Sequence, residues 1–245
     1  MSYVKPSLVN VCAVCSPFCI GLLVDPVQPK LILDQLKTLG ISDYSIKGIL
    51  TTHHHDDHSG GNIEMLGLIP YRVPVYGGDS RIPALSHHLW ENVEFPFPSA
   101  FNSVSSNQTD VGSFRMLTLL TPGHTKRSIC YAIFSTEPGE AMHLFTGDTL
   151  FLSGCGRFFD GCVPQEMLYS LRLLKSLSTS IAPNKILVYP GHEYTLNNVS
   201  FALTVDPLNC DLQEQFRFIK GLKNPVSVPG TLETELKTNP FLRVE

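Results

Sequence analysis

Residues 53–58 read His53-His54-His55-Asp56-Asp57-His58, so four of the chain's nine histidines fall within one short run. Imidazole nitrogens interleaved with carboxylate oxygens, with no thiolate required, form a donor set for Zn²⁺, Fe or Mn. Histidine runs also arise as tags or solvated loops. A tag sits at a terminus, whereas this run follows an apolar stretch at 46–50 and precedes Ser59-Gly60-Gly61. Further donors stand at His124, Asp148 and His192. His53, His55, Asp57, His58, His124, Asp148 and His192 together exceed what one tetrahedral ion takes. Two ions sharing a bridging carboxylate and a bridging water would use them all. Such a pair lowers the pKa of the shared water, polarises a carbonyl and stabilises the oxyanion that follows attack. The pattern reads as a hydrolase without a covalent nucleophile. Ser128, close to His124, lacks a nucleophile-elbow context and is given no catalytic role.

These groups are far apart along the chain, so the fold must gather them. Four times an apolar strand runs into a turn marked by Gly, Pro or Thr that carries His or Asp. Residues 46–50 lead to Thr51-Thr52-His53, and 114–120 to Thr121-Pro122-Gly123-His124. Residues 142–145 lead to Thr146-Gly147-Asp148, and 186–189 to Pro190-Gly191-His192. Loops at the carboxyl ends of strands are where a rigid sheet presents reactive groups to one crevice. The repetition predicts that the four loops converge. Around them the periodicity predicts two early strands within 8–24, a helix over 29–39 and another after Gly60-Gly61. A strand is expected at 73–76, another at 129–134 and a helix at 165–177. Residues 86–110, with His87, His88 and Trp90, read as a loop with hairpin segments. Beyond His192 strand signals vanish, leaving helices near 197–203 and 212–222.

The chain has 245 residues, 43% of them apolar and 16% charged, with a formal net charge of −4. A sizeable core is affordable, and the mild acidity puts a small-molecule substrate ahead of nucleic acid or an anionic membrane. Seven cysteines in no regular framework point to reduced thiols in a cytoplasmic protein. Cys12, Cys15 and Cys19 lack a partner pair at zinc-finger spacing and read as thiols buried in adjacent strands. Residues 8–24, interrupted by Asn10, Ser16 and Pro17, are too broken for a leader peptide or a membrane span.

His53-x-His55-x-Asp57-His58 resembles the signature of the metallo-β-lactamase superfamily, and the later His124, Asp148 and His192 turns match its motifs in order. Within that superfamily the chain is most similar to glyoxalase II, the hydroxyacylglutathione hydrolases. Thr52-His53-His54-His55, Gly154-Cys155-Gly156-Arg157-Phe158, Gly191-His192-Glu193-Tyr194-Thr195 and Asn239-Pro240-Phe241-Leu242-Arg243 carry that similarity. The resemblance implies an α+β fold: a four-layer αββα sandwich over residues 1–192 and a small helical substrate-binding domain over 193–245. His53, His55 and His124 would hold one metal, and Asp57, His58 and His192 the other. Asp148 would bridge, and Asp57 would also orient the water. The ions would be divalent, Zn²⁺ first and Fe or Mn next. The substrate would be S-D-lactoylglutathione, split to D-lactate and glutathione as the second step of methylglyoxal detoxification, by a monomeric enzyme. Arg157, Phe159, His192 and Tyr194 would line the glutathione pocket.

The chain departs from the family pattern in several places. Asp56 stands where a bulky apolar residue is usual, Phe159 where tyrosine is frequent, and Ser128 where a second histidine often follows. The family's further basic C-terminal helix has no counterpart before Glu245, so another thiol carrier stays open, with Lys220, Lys223 and Lys237 as compensating charges. His54 is expected outside the metal shell. Competing readings are a persulfide dioxygenase using a single iron, or a hydrolase of another acyl thioester or of a lactone.

Overall fold

Successive residues of a strand face opposite sides of a sheet, and consecutive leucines here serve different layers. Leu23 packs with Ile32, Leu36, Ile49 and Met65, whereas Leu22, Val24 and Leu50 join Met116, Tyr131, Leu144 and Phe145 in a second core. The computed structural model describes residues 2–4, 11–15, 20–41, 46–97, 114–222 and 227–244. Among them, two six-stranded sheets stack face to face. The first runs in chain order: β1 (Ser2–Val4), β2 (Val11–Cys15), β3 (Ile20–Val24), β4 (Ile46–Leu50), β5 (Val75–Gly77) and β6 (His87–His88). The helices α1 (Pro29–Thr38) and α3 (Asn62–Leu68) cover its outer face, and the one-turn α2 (Asp56–Ser59) precedes α3.

The second sheet contains β7 (Val93–Phe97), β8 (Phe114–Leu120), β9 (Ile129–Ser135), β10 (Met142–Gly147), β13 (Ile186–Pro190) and β14 (Gly230–Thr231), in the order β14-β13-β10-β9-β8-β7. A small hairpin of β11 (Leu150–Phe151) and β12 (Gly154–Cys155) follows β10. Helix α4 (Pro164–Ser176) adds Met167, Leu171 and Leu174 to this core. The layers are therefore α, β, β, α. Strands β8 and β10 both run antiparallel to β9, and β13 runs parallel to β10. In the first sheet β3, β4 and β5 are parallel. The reactive turns thus emerge from matching strand ends. Two bonds tie the sheets together there: Tyr131 donates to the Thr51 carbonyl at 2.9 Å, and the Ile129 amide to that of Thr52 at 2.8 Å.

Several expectations need correction. The 86–110 stretch is more than a loop, since β6 extends the first sheet beside Tyr76 and β7 edges the second beside β8. Residues 98–113 lie outside the described region, as do Cys19 and Lys223; the side chains of Cys12 and Cys15 also lie outside it. Beyond His192, α5 (Thr195–Val205) and α6 (Cys210–Gly221) occur as expected and share a small core of Val199, Ala202, Leu212 and Ile219. Strand β14 and α7 (Leu232–Thr238) were not expected. A two-residue strand has no periodicity to detect, and polar α7 anchors itself to the main core through Leu232. Among the described residues no helix is long and apolar enough to cross a membrane.

Where α7 meets the β11–β12 hairpin, Glu235 is fully buried. It accepts from the Ser153 amide at 2.7 Å and the Asn239 amide group at 2.9 Å. Asn239 also donates to the Phe151 and Gly154 carbonyls at 3.2 and 3.0 Å, closing the hairpin. Burial, only partly offset by the bonds from Asn239 and Ser153, lifts the Glu235 carboxyl from 4.5 to about 7. The native state keeps a proton that the unfolded chain sheds, so this contribution is complete below about pH 4.5 and lost as pH rises through 7. Glu235→Gln cannot ionise. Between pH 5 and pH 8 its stability in urea unfolding should shift relative to the native chain by on the order of 3 kcal/mol in the variant's favour. A constant offset would place an ordinary carboxylate at 235.

Candidate metal centre

The register of the two sheets brings the distant residues together. Gly147 of β10 pairs with Pro190 of β13, and the Gly191 amide donates to the Gly147 carbonyl at 2.8 Å. Asp148 and His192 consequently leave neighbouring strands side by side. The turn after β4 supplies His53 and His55, and α2 raises Asp57 and His58 one helical step later. His124 arrives from the end of β8. Two glycines are required by close approach. A Cβ at Gly191 would stand 2.5 Å from both Asp148 Oδ1 and a His58 ring carbon, and one at Gly156 would strike the Asp148 carbonyl oxygen at 1.9 Å.

All seven expected ligands converge. His55 Nδ1 lies 3.0 Å from His53 Nε2 and 3.1 Å from His124 Nε2. His58 Nε2 lies 3.2 Å from His192 Nε2, which lies 3.4 Å from an Asp57 oxygen. Asp148 stands between these trios, with Oδ1 3.1 Å from His58 Nε2 and Oδ2 3.6 and 3.5 Å from the Nε2 atoms of His124 and His192. The groups His53-His55-His124, His53-His58-Asp148 and Asp57-His58-His192 each place one ligand atom per residue within 4.8 Å of the others.

Hydrogen bonds behind the rings decide what those atoms can do. His124 Nδ1 donates to the Arg157 carbonyl at 2.8 Å, and His58 Nδ1 to Asp25 Oδ2 at 2.8 Å. Thr52 Oγ1 spends its proton on Asp25 Oδ2 at 2.7 Å, so at 3.1 Å it accepts from His53 Nδ1. Each of these imidazoles, when neutral, therefore turns an Nε2 lone pair inward, an arrangement characteristic of metal ligands held by outer partners. A single proton on His55 Nδ1 cannot serve both lone pairs fully, and buried Asp148 Oδ1 receives no hydrogen bond of good geometry. The donor set fits cations. Burial and the neighbouring His58 lower the His53 pKa well below its usual range. Burial opposes charge on His58, but the carboxylates of Asp148 and Asp25 beside it outweigh that and raise the pKa to about 10. Burial likewise raises Asp148, yet His192 and His58 hold its carboxyl well below the usual range. The cluster is compatible with a binuclear divalent metal site.

Two of the expected pocket residues, Phe159 and Tyr194, lie against the histidines of this centre. Phe159 sets its ring edge-on to His55 and His124, with centroids 5.1 and 5.2 Å away, and its amide donates to the His124 carbonyl at 2.9 Å. Tyr194 stacks on His192 with centroids 4.8 Å apart and stays 45% exposed. Arg157 contributes its carbonyl to His124, a role separate from any its side chain has. Ser128 is buried and bonded to Thr125, away from catalytic duty. His54 turns away from the metal trios toward Asp79, 3.6 Å distant, and burial together with Arg81 keeps its pKa low. Lys237 pairs with Glu233 at 3.7 Å and Lys220 lies over Phe216, so neither is directed to the centre by these contacts.

Asp25 escaped the sequence reading. It follows β3 as Val24-Asp25-Pro26, repeating the strand-then-turn pattern of the other groups, and its φ of 47° lies in the left-handed region. Asp79 behaves alike, following β5 through Gly77-Gly78.

Comparison with known proteins agrees with this geometry. Residues 21–192 match the profile of the metallo-beta-lactamase superfamily, and 193–245 that described as the hydroxyacylglutathione hydrolase C-terminus. A hydroxyacylglutathione hydrolase from Synechocystis sp. is 39% identical over 227 residues, spanning 90% of this chain and 79% of that one. A probable hydroxyacylglutathione hydrolase from Schistosoma mansoni is 37% identical, spanning 91% and 86%. Among solved structures, ETHE1 from Myxococcus xanthus gives a TM-score of 0.64 at 22% identity, spanning 98% of this chain and 84% of that one. A metallo-beta-lactamase from Staphylococcus aureus gives 0.62 at 19%, spanning 100% and 63%. At such identities the structures bear on fold alone. With two family profiles in register along its length and relatives at nearly two-fifths identity over about nine-tenths of it, the chain belongs to the hydroxyacylglutathione hydrolases of the metallo-β-lactamase superfamily.

Proposed function

We propose that this chain hydrolyses the thioester of S-D-lactoylglutathione to D-lactate and glutathione. The observation that carries the reading is the pair of imidazole-rich trios joined by Asp148, in a chain of this family. His53, His55 and His124 would hold one divalent ion, Asp57, His58 and His192 the other, with Zn²⁺ as first choice. When bound, such ions supply a water of lowered pKa and an electrophile for the carbonyl oxygen. Asp148 would face both. Asp57, whose side chain is 61% exposed at the rim, would also orient the attacking water. Phe159 and Tyr194 would supply aromatic walls for the thiol carrier. A thiolate leaves readily, so no strong general acid is demanded of the protein.

The Arg157 guanidinium would pair with the carrier's charged end, and His192 with Tyr194 would form the opposite wall. We assign residues 1–192 as the catalytic unit and 193–245 as the helical substrate-binding unit, the latter supported by the separate core of α5 and α6. We place a monomeric enzyme in the cytoplasm, where the free thiols of Cys130, Cys155, Cys162 and Cys210 would persist. A single-iron oxygenase is less well supported, because it leaves Asp57, His58 and His192 gathered without purpose.

A panel of acyl thioesters on several thiol carriers tests the reading. The glutathione ester should be turned over with the highest kcat/KM, and equal rates on carriers without glutathione's carboxylates would overturn the carrier assignment. Arg157→Ala should raise KM about tenfold while changing kcat little, since it touches the carrier rather than the reacting carbonyl. An unchanged KM removes Arg157 from the pocket.

A further inference from the structure

A second convergence of charge lies beside the metal centre. Arg81 donates from Nε to Asp79 Oδ1 at 2.9 Å and from Nη2 to Asp79 Oδ2 at 2.6 Å. The same guanidinium reaches Asp160 with Nη1 and Nη2 at 3.1 and 2.7 Å. His54, Asp79 and Asp160 have the grouping of a cation site. Arg81 already puts its positive charge between the two carboxylates, so the cluster is a tie rather than a vacancy for metal. Planar two-pronged contacts of this kind fix orientation as well as distance.

The two ends of the tie differ in rigidity. Asp79 is buried in the turn after β5, and its Oδ1 also accepts the Arg81 amide at 2.9 Å. Asp160 follows Phe159 in the exposed stretch 157–161, and its φ of 55° is one that non-glycine residues adopt at a cost. That stretch carries Arg157 and sets Phe159 against His55 and His124. His124 holds the loop from one side, through the Arg157 carbonyl and the Phe159 amide, and Arg81 holds its Asp160 end from the other.

We infer that Arg81 is a positioning residue for the thiol carrier: it fastens the 157–161 loop to the β5 turn, keeping Arg157 and Phe159 beside the metal centre. This rests on reading Arg157 and Phe159 as carrier contacts. Arg81 touches neither substrate nor the reacting atoms. It acts through the loop, so its loss should weaken binding of the substrate and leave the chemical step alone.

The test uses the metal-loaded full chain and S-D-lactoylglutathione. Arg81→Met should raise KM about tenfold with kcat within about twofold and metal content unchanged. Arg81→Lys should recover part of the loss, because an ammonium restores charge without the fork. Asp160→Asn should reproduce the rise in KM, and the double variant should add little to either single change. Independently of substrate, hydrogen exchange at 157–162 should quicken in Arg81→Met. Unchanged exchange, full additivity, or a fall in kcat as large as the rise in KM would each overturn the tie. Should the native chain leave this thioester intact, the proposed function fails. Hydrogen exchange alone then judges the tie, faster exchange supporting it and unchanged exchange refuting it.

Discussion

Asp148→Ala is expected to strip both metal ions from the protein and to lower kcat/KM by about 10³-fold or more. Among the described residues Asp148 is a carboxylate facing both trios, 3.1 Å from His58 Nε2 and 3.6 and 3.5 Å from His124 and His192. Two divalent ions held by these trios would repel each other, and a carboxylate facing both would offset that repulsion. Alanine leaves neutral imidazoles and half-exposed Asp57 to face the full charge. The activity that depends on the ions, several kcal/mol of transition-state stabilisation, goes with them. Metal analysis beside steady-state kinetics checks the result, with circular dichroism to confirm folding. A variant keeping two metals and native kcat would remove Asp148 from the bridge.

Asp25→Asn should weaken metal binding without stripping the site, although Asp25 faces no metal ligand position itself. Its Oδ1 accepts the Thr52 amide at 2.8 Å, and its Oδ2 accepts from Thr52 Oγ1 and His58 Nδ1. Asparagine tolerates the left-handed backbone at this position, so shape is kept and chemistry alone changes. The Thr52 amide needs an acceptor, which turns the new NH₂ toward His58 Nδ1. His58 must then place its proton on Nε2, directed into the metal centre. The wrong tautomer cannot ligate through Nε2. Thr52 Oγ1 loses the acceptor of its proton as well, which disturbs His53, so we expect metal affinity to fall about 10–100-fold, and turnover at limiting metal with it. Excess metal should restore part of the activity. Native affinity in Asp25→Asn would mean that the tautomer of His58 is set elsewhere.

Most of the centre was legible in the amino-acid order because its ligands obey one rule: each follows an apolar strand through a small or constrained turn. That rule joined His53, His124, Asp148 and His192 before any coordinates, and His-x-His-x-Asp-His spacing supplied the rest. Asp25 obeys the same rule but is a single carboxylate before proline, with nothing local to mark it as more than a turn residue. Its importance lies in a contact across 33 positions of sequence, with His58. Arg81 and Asp160 are 79 positions apart, and each alone reads as surface charge. Long periodic segments such as 46–50, 114–120 and the helix at 165–177 came out close to their structural bounds. Strand β14 and α7 did not, because two residues carry no period and α7 takes its stability from Leu232 and from capping by Thr231. The Asn239-Pro240-Phe241 segment stood out by its resemblance. Its physical task, closing the β11–β12 hairpin through the Asn239 amide, required the coordinates.

Metal content and thioester hydrolysis measured on the same purified sample bear most directly on the whole account. Elemental analysis should find close to two divalent ions per chain. Chelation should abolish release of glutathione from S-D-lactoylglutathione, and adding metal back should restore it in step with occupancy. One ion at full activity, or undiminished hydrolysis after the metals are removed, would contradict a binuclear centre acting on water.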